Sequence, residues 1–559
     1  MERLPQLTAL LPVIPALVIA ISFHYFFLRR PGPVGFDDGY TVAIGERLID
    51  GRWLPYVDGA SHRGPLLYFI AALGQWTFGR FTWEAPRLLM LLCSLVTLGG
   101  MTGLGILARA PLFGSIAALV WAWLALAVQE PGTAFGLNGE PIAGCLVTLA
   151  LVAQTAGFMR APPGRGRLLW LALAGVLCSL AGFTKQTALP LYAPILAWTF
   201  AAALTQPGLS TRDRLAPILA SLAGFLAPAL VIVLRYWLSG ELATFWYWFF
   251  TYNAEVYMQP VAATPLHEAI AEYARKNPWP VGVVVALVTF SVVRPVFEAE
   301  PFPRGLLRAY ATHGLEVTLA LCTAAAFIAF ASPKRFWGSY HVLVYPFLAL
   351  VVGMRAHALF AQARGSPVAR ACGHLALGVL FAGALGTIAH LKLGELVTQR
   401  RQGGWAAGRP DPMCAIVEKY TSDGDSLFIW GFESDLYISC RRHVGARYTY
   451  STLVAGTVPP AWAEQKPERV ARDSRRLLLE DLQASSPKLI LDLPARMGNV
   501  SLRTVPELKQ WIDERYCAPT TERLPRHGTL YLRRDQPGCV GAVERKFDIP
   551  SVRMRRRGD

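Results

Sequence analysis

The sequence predicts an α-helical polytopic membrane protein of about eleven spanning helices, with interfacial helices in its first outer loop and a small C-terminal α/β domain. Three observations carry this expectation. The 559 residues are 53% hydrophobic and only 16% charged, with a mean hydropathy of +0.34, too apolar for a soluble chain. Apolar runs of about 20 residues, the length that crosses a bilayer, recur through the first two thirds. From about residue 395 the pattern changes to short β-rich runs separated by helical ones.

Spans are expected near 8–28, 86–107, 112–129, 140–159, 168–184, 186–204, 215–237, 279–297, 314–332, 338–354 and 373–391. Residues 1–28 read as a retained helix rather than a signal peptide. Arg3 is the only cation of the leading region, and Arg29-Arg30-Pro31 is no small-residue cleavage site. The break between 168–184 and 186–204 sets the direction of everything after it. With that break, Arg160, Arg165, Arg167, Arg212, Arg214, Arg294, Arg304, Arg308, Arg355, Arg364 and Arg370 share one side. The positive-inside rule then puts the N-terminus in the cytoplasm and the Asp37-Asp38 loop outside, with everything after about 392. The first outer loop carries Arg29, Arg30, Arg47, Arg52, Arg63 and Arg80 against this bias, which suits an anionic ligand. The net charge of +16 fits loop arginines and anionic lipid headgroups, and no nucleic-acid partner is expected.

Residues 29–84 are too long for a plain connection and read as two interfacial helices, Gly39 to Asp50 and Pro65 to Phe78. The aromatic run Phe245 to Tyr252 reads as an interfacial belt. We divide the chain into a membrane domain, 1–392, and a soluble α/β domain, 393–559. In the second, strands are expected at 426–430, 447–450, 488–492 and 529–532, and helices near 411–420, 468–484 and 505–516. Cys414, Cys440, Cys517 and Cys539 form an even set there, compatible with two disulfides whose pairing the sequence leaves open. Cys93, Cys145, Cys178, Cys322 and Cys372 lie in or beside apolar spans and read as buried thiols.

Charged groups near hydrocarbon are disfavoured and mark sites of chemistry or transport. Four groups share the outer face. Phe36-Asp37-Asp38-Gly39-Tyr40 follows the first span, although an Asp at a helix start also serves as a cap. His62-Arg63-Gly64-Pro65 opens the second interfacial helix, and Asn138-Gly139-Glu140 lies at the outer end of the fourth span. Lys185, then Lys334, Arg335, Tyr340 and His341, mark span ends on the same side, where a snorkelling role is the alternative for each cation. Such a set suits transfer of a sugar from a lipid phosphate to a hydroxyl. The phosphate leaves as an anion that needs clustered cations rather than a general acid. The incoming hydroxyl needs one carboxylate to take its proton, and attack opposite the leaving group inverts the anomeric carbon.

The ordered motifs Asp37-Asp38-Gly39-Tyr40, Asp58 with His62-Arg63-Gly64-Pro65-Leu66-Leu67-Tyr68, Glu84-Ala85-Pro86-Arg87, Asn138-Gly139-Glu140, Gly182-Phe183-Thr184-Lys185 and Arg335-Phe336 with Tyr340-His341 and Pro346 resemble the C-type membrane glycosyltransferases of the protein O-mannosyltransferase and lipid A aminoarabinose transferase group. The resemblance covers about residues 1–395 and implies the GT-C fold, a polyprenyl-phosphate sugar donor and a lipid, glycan or protein acceptor in the bacterial envelope, including lipopolysaccharide. It implies Asp37 as base and Asp38 as a group orienting the acceptor. The usual pair in that family is Asp-Glu, so the assignment within Asp37-Asp38 stays open. His62, Arg63, Lys185, Lys334, Arg335, Tyr340 and His341 are the phosphate-side candidates, and Glu140 a second acid on the acceptor side. Arg63 stands where that family commonly has Lys, which keeps the charge and changes the geometry. The family's closest members need no metal; Mg²⁺ held by Asp37, Asp38 and Glu140 is the alternative. A lipid-linked sugar or anion transporter, and an oligosaccharide ligase of the same fold, are the competing functions. The chain shows no internal repeat, which a transporter of inverted halves would have.

Overall fold

The computed structural model describes residues 9–28, 36–128, 135–258 except 163, 207 and 209, 264–299, 304–362 except 335 and 337, 378, 382, 383, 386, 411–458, 465–519 and 524–539. Among the described residues fifteen α-helices precede residue 363: α1 Val13–Leu28, α2 Phe36–Asp50, α3 Pro65–Phe78, α4 Glu84–Leu107, α5 Pro111–Ala122, α6 Gly139–Met159, α7 Arg165–Thr184, α8 Tyr192–Thr205, α9 Thr211–Leu238, α10 Leu242–Trp246, α11 Leu266–Lys276, α12 Pro278–Ala299, α13 Arg304–Thr312, α14 Gly314–Ala331 and α15 Gly338–Gln362. Among the described residues seven helical runs are long and apolar enough to cross a membrane: α4, α6, α7, Gln186–Thr205, α9, α14 and α15. Shorter apolar runs, Val13–Tyr25 and Pro111–Leu126, lie at two more expected spans, and the pair Leu266–Lys276 and Val281–Pro295 bends by 113°. The chain is therefore a multi-pass membrane protein. The span expected at 373–391 lies outside the described residues, apart from isolated positions.

The break that sets the helix directions is present. Lys185 adopts an extended conformation (φ −145°, ψ 115°) between α7 and a 3-10 turn, Gln186–Leu191. Leu189 folds back so closely on Gly182 that a Cβ there would overlap its side chain. A glycine at 182 therefore lets the chain reverse in six residues or so. Arg160 donates to the Ile106 carbonyl (3.0 Å) and Arg214 to the Leu204 carbonyl (3.4 Å), placing these cations together at the end of the bundle opposite Lys185. Only 22% of the apolar window of α9 is buried, and its Leu219, Leu230, Val231 and Trp237 face outward, as a lipid-facing helix does.

The segment between α1 and α4 forms α2 and α3, as expected. The aromatic run from Phe245 is not simply a belt. It continues α10 as a π-helical stretch, Tyr247–Tyr257, whose Phe249 and Tyr252 are buried with Phe245 and Trp248, while Trp246 and Phe250 stay exposed. The buried stripe packs with Tyr56, Tyr236 and Phe183, so half of the run is a core.

After residue 410 the described chain forms α16 Pro412–Tyr420, β1 Ser426–Gly431, α17 Asp435–Ser439, β2 His443–Val444, α18 Thr452–Ala455, α19 Ser474–Ser485, β3 Leu489–Leu493, α20 Pro506–Arg515, β4 Tyr516–Cys517 and β5 Thr529–Arg533. The sheet order is β2-β1-β3-β5-β4, parallel across β2, β1 and β3 and antiparallel beyond. Alternation along β1 sends Leu427 and Ile429 into one core and Phe428 and Trp430 into another. The second core is continuous with Tyr40, Ile44 and Leu48 of α2. Disulfides join Cys414 to Cys440 and Cys517 to Cys539.

Two expectations need correction. Residues 447–450 are no strand: the ladder ends at Val444, and the Arg447 carbonyl instead accepts from Ala60 N (2.9 Å). Tyr448 and Tyr450 are buried against the loop between α2 and α3 rather than in a sheet face. The helix expected at 468–484 begins only at Ser474, because Asp473 takes a left-handed conformation (φ 55°) and stops the preceding turn.

Asp492 on β3 is buried, accepting from Ser501 Oγ (2.5 Å) and Leu502 N (3.3 Å). Burial pushes its carboxyl up to about 6 from 3.8, against those hydrogen bonds. Between these values the native state holds more protons than the unfolded chain. Its contribution to stability is therefore full below 3.8 and is lost as pH rises through 6. Asp492→Asn removes this penalty: its melting temperature relative to the wild type should be higher at pH 7.5 and the advantage should shrink by pH 4.5.

Candidate functional site

The site forms where the first turn of α2 meets the loop before α3 and the N-terminus of α6. Asp37 and Asp38 lie in that first turn, where the helix dipole favours carboxylates. Their environments differ. Asp38 is buried (1% exposed), and its Oδ1 accepts from Leu137 N (2.9 Å), fastening α2 to the chain entering α6. The Asp37 side chain is 30% exposed, with Oδ1 at 2.7 Å from an Arg63 guanidinium nitrogen.

Arg63 is nearly buried. Besides Asp37 it donates to Asn138 Oδ1 (3.2 Å), and its guanidinium lies 4.9 Å from the centroid of the Tyr40 ring. Burial alone would weaken its hold on the proton, but Asp37, Tyr40 and Glu140 outweigh it and keep Arg63 charged well beyond its ordinary range. The loop is held by Tyr56, whose hydroxyl donates to the Arg63 carbonyl (2.5 Å), and by Gly64, where a Cβ would overlap the Phe183 carbonyl at the end of α7. Gly64 thus brings Arg63 alongside Lys185.

Lys185 makes a buried ion pair with Glu140 (2.7 Å) and lies 4.9 Å from the Tyr340 ring centroid. Glu140, expected on the acceptor side, is therefore the counter-ion of the second cation. Among the described residues Tyr40 Oη, Arg63 Nε and Glu140 Oε2 are buried side-chain atoms with no hydrogen-bond partner. Polar atoms left in that state are costly unless a ligand or water meets them, and all three belong to residues grouped around the Arg63 and Lys185 pairs.

His62 is held through both its backbone and its ring. Its carbonyl accepts from Gln186 Nε2 (3.0 Å) and Asn253 Nδ2 (2.8 Å), while its ring stacks on Tyr257 at 4.3 Å and lies 3.3 Å from the Tyr450 hydroxyl. His341 lies elsewhere in the packing: its Nε2 is 2.7 Å from the Tyr273 hydroxyl, and Phe330 packs on its ring. Lys334 occupies a left-handed turn after α14 (φ 55°). Arg335 lies outside the described residues. The structure thus brings together Asp37, Asp38, His62, Arg63, Glu140, Lys185 and Tyr340.

Sequence reasoning passed over Tyr40 and Asn138 as site residues. Tyr40 sits three residues after Asp37, on the same helix face, and that spacing was available as a signal. As a shared ion site, Asp37, Asp38 and Glu140 fit poorly, because their carboxylates turn to Arg63, Leu137 N and Lys185 respectively. A different group, Glu46, Asp50 and His443, brings ligand atoms within 4.8 Å of one another. Arg80 donates to both of those carboxylates, bidentately to Asp50 (2.8 and 2.6 Å), so a divalent ion there would have to displace a guanidinium.

The fold defined by these helices, with the loop helices and the α/β unit on one face, is that of the C-type membrane glycosyltransferases, the GT-C fold. The individual likeness lies with ArnT from Cupriavidus metallidurans. Its structure bound to undecaprenyl phosphate matches with a TM-score of 0.51 at 16% identity, covering 93% of this chain and 97% of that one. The apo state of the same protein matches with 0.50 at 15% identity and the same coverage. The archaeal oligosaccharyltransferase AglB from Archaeoglobus fulgidus, in complex with an inhibitory peptide and a dolichol-phosphate, aligns at 0.45 and 13% identity over 88% of this chain and 70% of that one. No protein-family model matches the chain, and no curated protein matches its sequence.

Removing one partner of a buried ion pair leaves an uncompensated charge, at a cost of about 3–5 kcal/mol. Lys185→Met should therefore lower stability by that order in denaturant titration of the detergent-solubilised protein. Adding Glu140→Gln to it should restore most of the loss.

Proposed function

We propose that this protein is an inverting glycosyltransferase that moves a hexosyl or pentosyl group from a polyprenyl-phosphate donor to a hydroxyl of a cell-envelope acceptor. The observation that carries this reading is the pairing of a part-exposed Asp37 with an almost buried Arg63, beside a second buried cation, Lys185. The undecaprenyl phosphate in the ArnT structure supports the donor class, given the shared fold.

In this reading Asp37 is the base. One of its oxygens is held by Arg63, which leaves the other to accept the proton of the acceptor hydroxyl. The hydroxyl oxygen attacks the anomeric carbon as the bond to the phosphate oxygen breaks, and the sugar inverts. The departing phosphodiester becomes a monoester with one more negative charge, which Arg63 and Lys185 meet without reorganising. Asp38 acts as an anchor of α2 rather than as a reacting acid, because it is buried and committed to Leu137 N. Side chains supply base and cations alike, so the proposed reaction draws on no cofactor.

We place the protein in a bacterial inner membrane with its N-terminus cytoplasmic and the site periplasmic. The arginines at the far end of the bundle support this orientation, and so do the two disulfides of the α/β unit, which suit an oxidising compartment. We also keep the division into a membrane domain, 1–392, and an α/β domain, 393–559, supported by the start of α16 and the sheet beyond it.

Asp37→Asn takes one counter-charge from Arg63, so it should fold with a lower melting temperature, and at a temperature where both proteins are folded it should lower transfer about 10²–10⁴-fold, the contribution typical of a general base. Mass spectrometry of envelope lipids and glycans, in strains carrying the wild type, a deletion or Asp37→Asn, should show the same single sugar missing from the last two. Undiminished transfer by Asp37→Asn would contradict the assignment.

A further inference from the structure

The α/β unit reaches into the site itself. Its segment 447–450 runs along the first outer loop, tied by the bond from Ala60 N to the Arg447 carbonyl (2.9 Å). That places the Tyr450 ring against Tyr40, with centroids 4.9 Å apart, and the Tyr450 hydroxyl 3.3 Å from His62 Nδ1. Both rings are buried, at 4% and 3% exposure. Tyr40 is the residue whose ring meets the Arg63 guanidinium, and Arg63 is the partner of Asp37.

A second contact fixes the same turn of α2. A Cβ at Gly39 would lie 3.0 Å from the amide nitrogen of Asp435, at the start of α17. The glycine that follows the two aspartates is thus the seat of the α/β unit. Neither contact is local in sequence, and both act on the turn that carries Asp37.

We propose that Tyr450 is a positioning residue of the transfer site, donated by the α/β unit: its ring holds Tyr40, and Tyr40 in turn holds Arg63 against Asp37 and the donor phosphate. The part concerning phosphate rests on the transferase reading above. An aromatic ring beneath a guanidinium both attracts it and restricts its rotamers. If Tyr450 is lost, Tyr40 is free to turn and Arg63 loses one of the surfaces that fix it. The hydroxyl of Tyr450 is secondary, because the ring makes the contact with Tyr40.

The test uses the purified full-length protein in detergent and undecaprenyl phosphate as probe, with affinity read from tryptophan fluorescence and folding from the melting temperature without lipid. The wild type should bind and Arg63→Ala should not. Tyr450→Leu should bind about tenfold more weakly, and Tyr450→Phe within about twofold of the wild type, since it keeps the ring. Wild-type affinity in Tyr450→Leu overturns the proposal and leaves the transferase reading standing. Equal losses in Tyr450→Phe and Tyr450→Leu overturn the role given to the ring. A wild type that fails to bind the lipid overturns the transferase reading and the phosphate role with it. Should Tyr450→Leu not fold, Tyr40→Leu decides, because Tyr450 acts on Arg63 only through the Tyr40 ring; wild-type affinity there overturns the proposal.

Discussion

One buried guanidinium organises the candidate site of this protein. Taking a charge out of water costs several kcal/mol even after relaxation, so Arg63 is tolerated only where its surroundings repay that loss. They do so from separate parts of the chain: Asp37 and Tyr40 from α2, and Asn138 from the cap of α6. The loop that carries Arg63 is itself pressed on the end of α7 at Gly64. Satisfying one cation therefore fixes the relative placement of three helices. The Lys185–Glu140 pair repeats the arrangement one step deeper and ties the α7 terminus to α6.

This has a consequence for chemistry. A carboxylate paired with a fixed guanidinium is held in one place and one rotamer. For attack on a lipid-linked sugar, placement of the base and fixed charges at the leaving group carry much of the rate, because nothing has to reorganise as charge develops. The same logic explains why the site sits under the α/β unit. The α/β unit shares a hydrophobic core with α2, through Phe428 and Trp430 on its side and Ile44 and Leu48 on the other, and so limits the motion of the helix that carries Asp37.

Much of this was legible in the sequence. Composition and apolar runs gave the membrane class, and the Gly182-to-Lys185 motif marked a real helix break. The two interfacial helices follow from the Gly51 stop and the Pro65 start. Within the site, residue type and order pointed to Asp37, Arg63 and Lys185. The unequal burial of Asp37 and Asp38 was hidden, because neighbouring residues of one type are separated only by what packs on them. The partner of Glu140 was hidden for a similar reason: Lys185 is 45 residues away and is identified only by the helix break. Segment 447–450 has the alternation of a strand, and the same residues serve a chain laid between two units, where Tyr448, Thr449 and Tyr450 are all buried. Tyr450 was invisible because its contacts are some 400 residues distant in sequence.

The central claim is that Arg63 and Lys185 receive the lipid phosphate while Asp37 faces the acceptor. A cryo-EM structure of the full-length protein with undecaprenyl phosphate tests it most directly. The account predicts phosphate density within hydrogen-bond distance of the Arg63 guanidinium, on the Lys185 side, with the second oxygen of Asp37 turned to open solvent. Phosphate bound at another place on the bundle, with the Arg63–Asp37 pair unchanged and sealed from it, would contradict it.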